Sequence, residues 1–161
     1  MLTGPAAVLA ACLMLAAETY NVPPAVMVGI MNVEGGKVGQ EVGNTNGTYD
    51  LGPMQINTIW LPELSRYWNV DQQTARRWVR DNGCVNMHVS AWILRGRLDK
   101  TRNLYTAIAH YHSGNAQYGD PYAAKVIRAM ERHGLIDYGA GGKKGAPTID
   151  NVVKSQKIAQ R

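Results

Sequence analysis

Apolar side chains recur at helical spacing along nearly the whole chain, and each such stripe predicts a helix that buries one face. Residues 6–19 and 24–34 are the first two predicted helices. Both are read as buried, the second as central because it is apolar on most sides, with Pro23 and Pro24 at its entry, where a missing N–H is tolerated. Further helices are expected over 58–68, over 72–81 behind Asp71 as N-cap, and over 83–98, where Val85, Val89, Trp92 and Ile93 form an inward stripe. Thr101 opens the next, running to His112 with Gly114 at its end. Asp120-Pro121 opens the last, which carries Val126, Ile127 and Met130 and closes at His133-Gly134.

The pattern fails between Gly35 and Asn57. Gly35, Gly36, Gly39, Gly43, Gly47 and Gly52 stand there with Asn44, Asn46 and Pro53, a turn-rich composition that allows at most a short irregular hairpin. So long a loop inside a compact domain points to function. The expected fold is mainly α, with a glycine-rich loop or short β-hairpin between helices. Residues 1–138 are read as one domain and 139–161, opening Gly139-Ala140-Gly141-Gly142-Lys143-Lys144, as a flexible basic tail.

Composition narrows the classes. Hydrophobic residues at 45% and charged residues at 18% exclude disorder of the whole chain. The longest apolar run, Pro5 to Ala17, stops at Glu18, short of the ~18–20 residues of a membrane span. The formal net charge is +5, but the tail holds Lys143, Lys144, Lys154, Lys157 and Arg161 against Asp150, so only one net positive charge belongs to the domain. A nucleic-acid-binding face is therefore not expected. With no Lys or Arg before Pro5, that run is read as a helix rather than a secretory signal, and any export signal is expected upstream. Cys12 and Cys84 suit either one disulfide or two buried thiols. His88, His110, His112 and His133 show no helical i, i+3 or i, i+4 pair, so no metal site is expected, and no cofactor.

Glu34 is the leading candidate for chemistry. It closes an apolar helix just before the glycine-rich loop, in Met31-Asn32-Val33-Glu34-Gly35-Gly36. A carboxylate is disfavoured both at the negative end of a helix dipole and among apolar neighbours, so its pKa is expected to rise, as a general acid requires.

Gly52-Pro53-Met54-Gln55 follows in the loop, and Tyr111-His112-Ser113-Gly114 ends a later helix. In this order the chain, over residues 6–135, resembles the lytic transglycosylases with a goose-lysozyme-like catalytic domain, and within them the small enzymes attached to type IV secretion and conjugation systems. The resemblance implies that Glu34 is catalytic, that Met54 and Gln55 line a sugar groove, and that Tyr111 fixes the acid or the substrate N-acetyl group. Asp50, His112 and Tyr122 are further candidates for the groove, although Asp50 also reads as an Asx-turn residue. Two positions depart from the family pattern: Gly35 stands where a Ser commonly follows the acid, and His112 where an Asn follows the tyrosine. The resemblance also implies a disulfide between Cys12 and Cys84.

The implied partners are peptidoglycan glycan strands and secretion or conjugation machinery, and the implied location is the periplasm or cell envelope. The implied reaction needs one carboxyl group, because the substrate supplies both a neighbouring N-acetyl group and the C6 hydroxyl as nucleophile. A hydrolytic muramidase of the same fold would instead use a second carboxylate, for which Asp50 is the candidate. A peptidoglycan-binding factor without activity is a third reading. Trp60, Trp68, Trp78 and Trp92 are expected in the core.

Overall fold

A computed structural model describes residues 4–136. The expected tail from Gly139 lies outside the described residues. These form seven α-helices and one small sheet: α1 (Pro5–Tyr20), α2 (Pro24–Glu34), β1 (Glu41–Gly43), β2 (Tyr49–Leu51), β3 (Ile56–Asn57), α3 (Leu61–Trp68), α4 (Gln72–Asp81), α5 (Gly83–Thr101), α6 (Leu104–His112) and α7 (Ala116–Arg132). A short 3₁₀ turn, Thr58–Trp60, leads into α3. The mainly α expectation holds, and the turn-rich loop contains an antiparallel sheet in the order β1-β2-β3. No helix among the described residues is long and apolar enough to cross a membrane.

Several boundaries follow from capping chemistry. Asp71 starts α4 as expected, accepting from the Thr74 backbone N–H at 2.8 Å; that hydrogen bond, with one from the Thr74 hydroxyl, holds its carboxyl below the usual carboxylate range. Thr101 does not open α6. Asn103 does, with its side chain accepting from Thr106 N–H at 2.9 Å, and Ser113 rather than Gly114 caps its end. The start of α7 is likewise earlier than Asp120-Pro121: Asn115 accepts from Gln117 N–H at 3.0 Å, and Pro121 lies inside the helix. The ladder bond that Pro121 forgoes is to the carbonyl of Gln117, an exposed residue, which makes an interior proline tolerable here. Gly134, at φ +65°, ends α7, and Leu135 N–H reaches the Met130 carbonyl at 2.9 Å.

The chain forms two compact units. Among the described residues, one comprises α1 as far as Thr19 and the segment from Glu34 to Ala91; the other comprises Tyr20–Val33 and residues 92–136. The first unit buries Leu13, Ala16 and Ala17 of α1 with Leu51, Met54, Ile56, Leu64, Val79 and Met87. Fully burying a leucine, isoleucine, valine or methionine side chain stabilises by about 1.5–3 kcal/mol. Helix α1 is nevertheless only half buried, since Val8, Met14 and Leu15 are more than half exposed. Cys12 of α1 is disulfide-bonded to Cys84 in the first turn of α5, with Cα atoms 5.0 Å apart.

In the second unit, α2 buries Val26, Met27 and Ile30. At Gly29 a side chain would collide with Met130 and Val126 of α7, so the glycine permits close helix contact. The expected stripe of α5 is partly right: Val89 and Ile93 are buried, whereas Val85 and Trp92 are only half buried. None of the four tryptophans is fully buried. Trp78 is 42% exposed, and it pairs with Trp68 at 5.6 Å between ring centroids, a half-covered surface pair rather than core.

Candidate active site

Glu34 is the last residue of α2 and is half buried. Gly35 follows at φ +62°, a left-handed conformation that costs a residue with a Cβ about 1–2 kcal/mol. This accounts physically for glycine where a serine was expected. The chain then turns onto the segment Gly52–Gln55. A Cβ added at Gly36 would strike the carbonyl oxygen of Gly52 and the side-chain amide of Gln55, so the main chain two residues after Glu34 lies directly against both.

That segment is tightly defined. Gly52 sits at φ +67° and Gln55 at φ +49°. The Gln55 side-chain amide donates to the Gly52 carbonyl at 2.9 Å, and the Gln55 backbone N–H donates to the same oxygen at 3.1 Å. Gln55 remains half exposed, so its amide oxygen is the group suited to a polar ligand. Met54 is 0% exposed. The expectation that it lines a groove is corrected: its side chain belongs to the core beneath the turn.

Asp50 is on strand β2, not in an Asx-turn. It pairs with Asn57 across the sheet, and the Asn57 amide donates to its carboxylate at 2.9 Å and to the Thr48 hydroxyl at 3.0 Å. These bonds give Asp50 a defined part in cross-strand pairing.

In the second unit Tyr111, His112 and Tyr122 form a stack. Tyr122 is buried, with the His112 ring 4.6 Å away and nearly parallel and the Tyr111 ring at 6.4 Å, while His112 is exposed. Helices α6 and α7 approach closely enough for this because Gly119 packs onto the carbonyls of Ala109 and Ser113. The histidine found in place of asparagine is thus held by ring stacking.

Two features were not anticipated. Glu41 of β1 accepts both ends of the Arg76 guanidinium, at 2.8 and 2.9 Å, and a bond from Arg80 at 3.0 Å. The Arg76 bond first, then Arg80, holds the Glu41 carboxyl below the usual range. Arg76 also lies 4.7 Å over the Tyr49 ring, so the hairpin is fastened to α4 through both strands. The other is Asn86, fully buried on α5 beneath the turn. Its signal in the sequence is a polar residue three and seven positions before Val89 and Ile93, on the face that is buried. Among the described residues no group of three or more His, Cys, Asp or Glu gathers as a metal site.

Residues 11–129 match the family described as Transglycosylase SLT domain. No curated protein matches the chain.

Proposed function

The chain belongs to the transglycosylase SLT domain family, and on that premise we propose that it cleaves the β-1,4 bond between N-acetylmuramic acid and N-acetylglucosamine in peptidoglycan, without water. Glu34 donates a proton to the glycosidic oxygen, which leaves as the hydroxyl of the departing sugar. The muramic N-acetyl group supports the positive charge developing at C1. The C6 hydroxyl of the same sugar then attacks C1, and the Glu34 carboxylate takes its proton, so the products are a free hydroxyl and a 1,6-anhydro end.

The observation that carries this reading is the position of Glu34 at the end of α2, two residues before a main chain packed on Gly52 and Gln55. Gln55 is assigned to the sugar, as are Tyr111 and His112, with Tyr122 supporting both rings from beneath. The hydrolase reading, in which Asp50 holds the attacking water, is separated from transglycosylation by the product masses below. The disulfide supports an oxidising compartment such as the periplasm. Local wall opening for a secretion or conjugation apparatus is part of the same proposal, and so is a tethering role for the basic segment 139–161. The test is digestion of purified peptidoglycan by the full chain, with product masses: 1,6-anhydro ends support the reading and reducing ends refute it. For the tether, deletion of 139–161 is expected to weaken attachment to whole sacculi at low salt while leaving turnover of soluble fragments unchanged.

A further inference from the structure

Asn86 lies at 0% exposure on α5, and its side chain is engaged entirely by main chain. Its Oδ1 accepts from the Met54 N–H at 2.8 Å, and its Nδ2 donates to the carbonyls of Leu51 and Val79, each at 2.9 Å. Both donors are committed, so the residue holds structure and contacts no ligand. Leu51 and Met54 are the first and fourth residues of the turn around Gly52-Pro53. The amide of Asn86 therefore stands between the two groups that a four-residue turn ordinarily pairs with each other.

The same amide occupies the space next to Gly52, where a Cβ would meet Asn86 Nδ2. From Gly52 the contacts continue outward: its carbonyl takes both hydrogen bonds of Gln55, and Gly36 rests against that carbonyl and the Gln55 amide. A single buried amide thus supports a row of contacts that ends two residues from Glu34. Polar groups of this kind are unforgiving, because removing the side chain leaves one N–H and two carbonyls without their partner in a buried place.

We infer that Asn86 is a positioning residue for the reaction: it sets the conformation of the Gly52–Gln55 turn and, through it, the chain that follows Glu34, without touching substrate. The inference rests on the function proposed above. Misplacement of reacting groups by about 1 Å costs on the order of a hundredfold in rate. Loss of the Asn86 amide is expected to act on kcat in that way, by about 10- to 100-fold, with a smaller change in KM.

The experiment compares the full chain carrying Asn86→Ala with one carrying Leu94→Ala, a fully buried residue eight positions further along α5, about 12 Å away. Thermal unfolding, steady-state cleavage of soluble glycan fragments and amide hydrogen exchange are measured at a temperature where both variants are folded. Both are expected to unfold earlier than the parent. Only Asn86→Ala is expected to lose kcat, and with it the exchange protection of the Met54 and Gln55 amides. If Asn86→Ala does not fold, Asn86→Asp keeps the volume and the acceptor for Met54 but lacks the two donors, and is expected to lose kcat in the same sense. Equal kcat in the folded Asn86 and Leu94 variants overturns the inference. If the parent chain cleaves no glycan, the proposed reaction fails instead; unchanged exchange at Met54 and Gln55 in the Asn86 variant would then overturn the positioning role separately.

Discussion

The α-carbon of Gly36 faces the carbonyl oxygen of Gly52 so closely that no methyl group fits between them. Backbone oxygen cannot rotate away as a side chain can, so Gly36→Ala must displace either the turn or the loop after Glu34. The expected cost is about 1–3 kcal/mol of stability, as for other overpacked sites. A loss of activity larger than the unfolded fraction explains should accompany it. Gly96→Ala, inside α5 and outside the site motifs, is the control, since nothing lies within 4 Å of a Cβ there. Urea unfolding and glycan cleavage of the two variants check this, and equal behaviour would remove Gly36 from the site's framework.

Reduction of Cys12–Cys84 should lower stability substantially. The bond spans a sequence separation of 72, and closing such a loop stabilises by roughly 4 kcal/mol in the chain-entropy view. Chemical denaturation of the full chain with and without reductant, and of the Cys12→Ser, Cys84→Ser double variant, reads the difference. Coincident midpoints would show that the link adds nothing to stability.

Acid should weaken the attachment of β1 to α4. The folded-state pKa of Glu41 lies below its ordinary value of 4.5, so the ionised form is favoured by folding. Its stabilisation is complete above that ordinary value and is lost as pH falls through the lower folded-state value. An isolated exposed pair contributes at most about 1 kcal/mol, and the twofold bond from Arg76 places this one toward the upper end. Denaturation of the parent and of Glu41→Gln at neutral pH and at pH 3 tests the sign: the gap between them should narrow at the lower pH. A constant gap would show that Glu41 stabilises only through packing.

The sequence makes the helices most legible where caps and apolar spacing agree. Asp71 marks the start of α4, and the run before Glu34 marks all of α2. It misleads where two signals compete. Asp120-Pro121 has the look of a helix start, but Asn115 caps first and the proline sits on an exposed stretch that tolerates it. Strand β3 is only two residues long and exists through its pairing with β2, so no periodicity can announce it. The same holds at the site. Glu34 and Gln55 stand out by residue type and neighbours, whereas Asn86 reaches Met54 from 32 residues away, a contact that only the fold creates. Met54 misled in the opposite direction, since its motif position suggested a ligand surface and its side chain is entirely buried.

In the proposed reaction Glu34 serves as acid and then as base in a cleavage without water. Glu34→Gln keeps the shape of the side chain but transfers no proton, and each role is typically worth about 10²- to 10⁴-fold. Mass analysis of peptidoglycan digested by the parent and by Glu34→Gln tests both roles. Fragments one water lighter than hydrolysis products, with 1,6-anhydro ends, are expected from the parent and essentially none from the variant at unchanged thermal stability. Reducing ends from the parent, or variant activity within a few-fold of the parent, would contradict the proposed reaction.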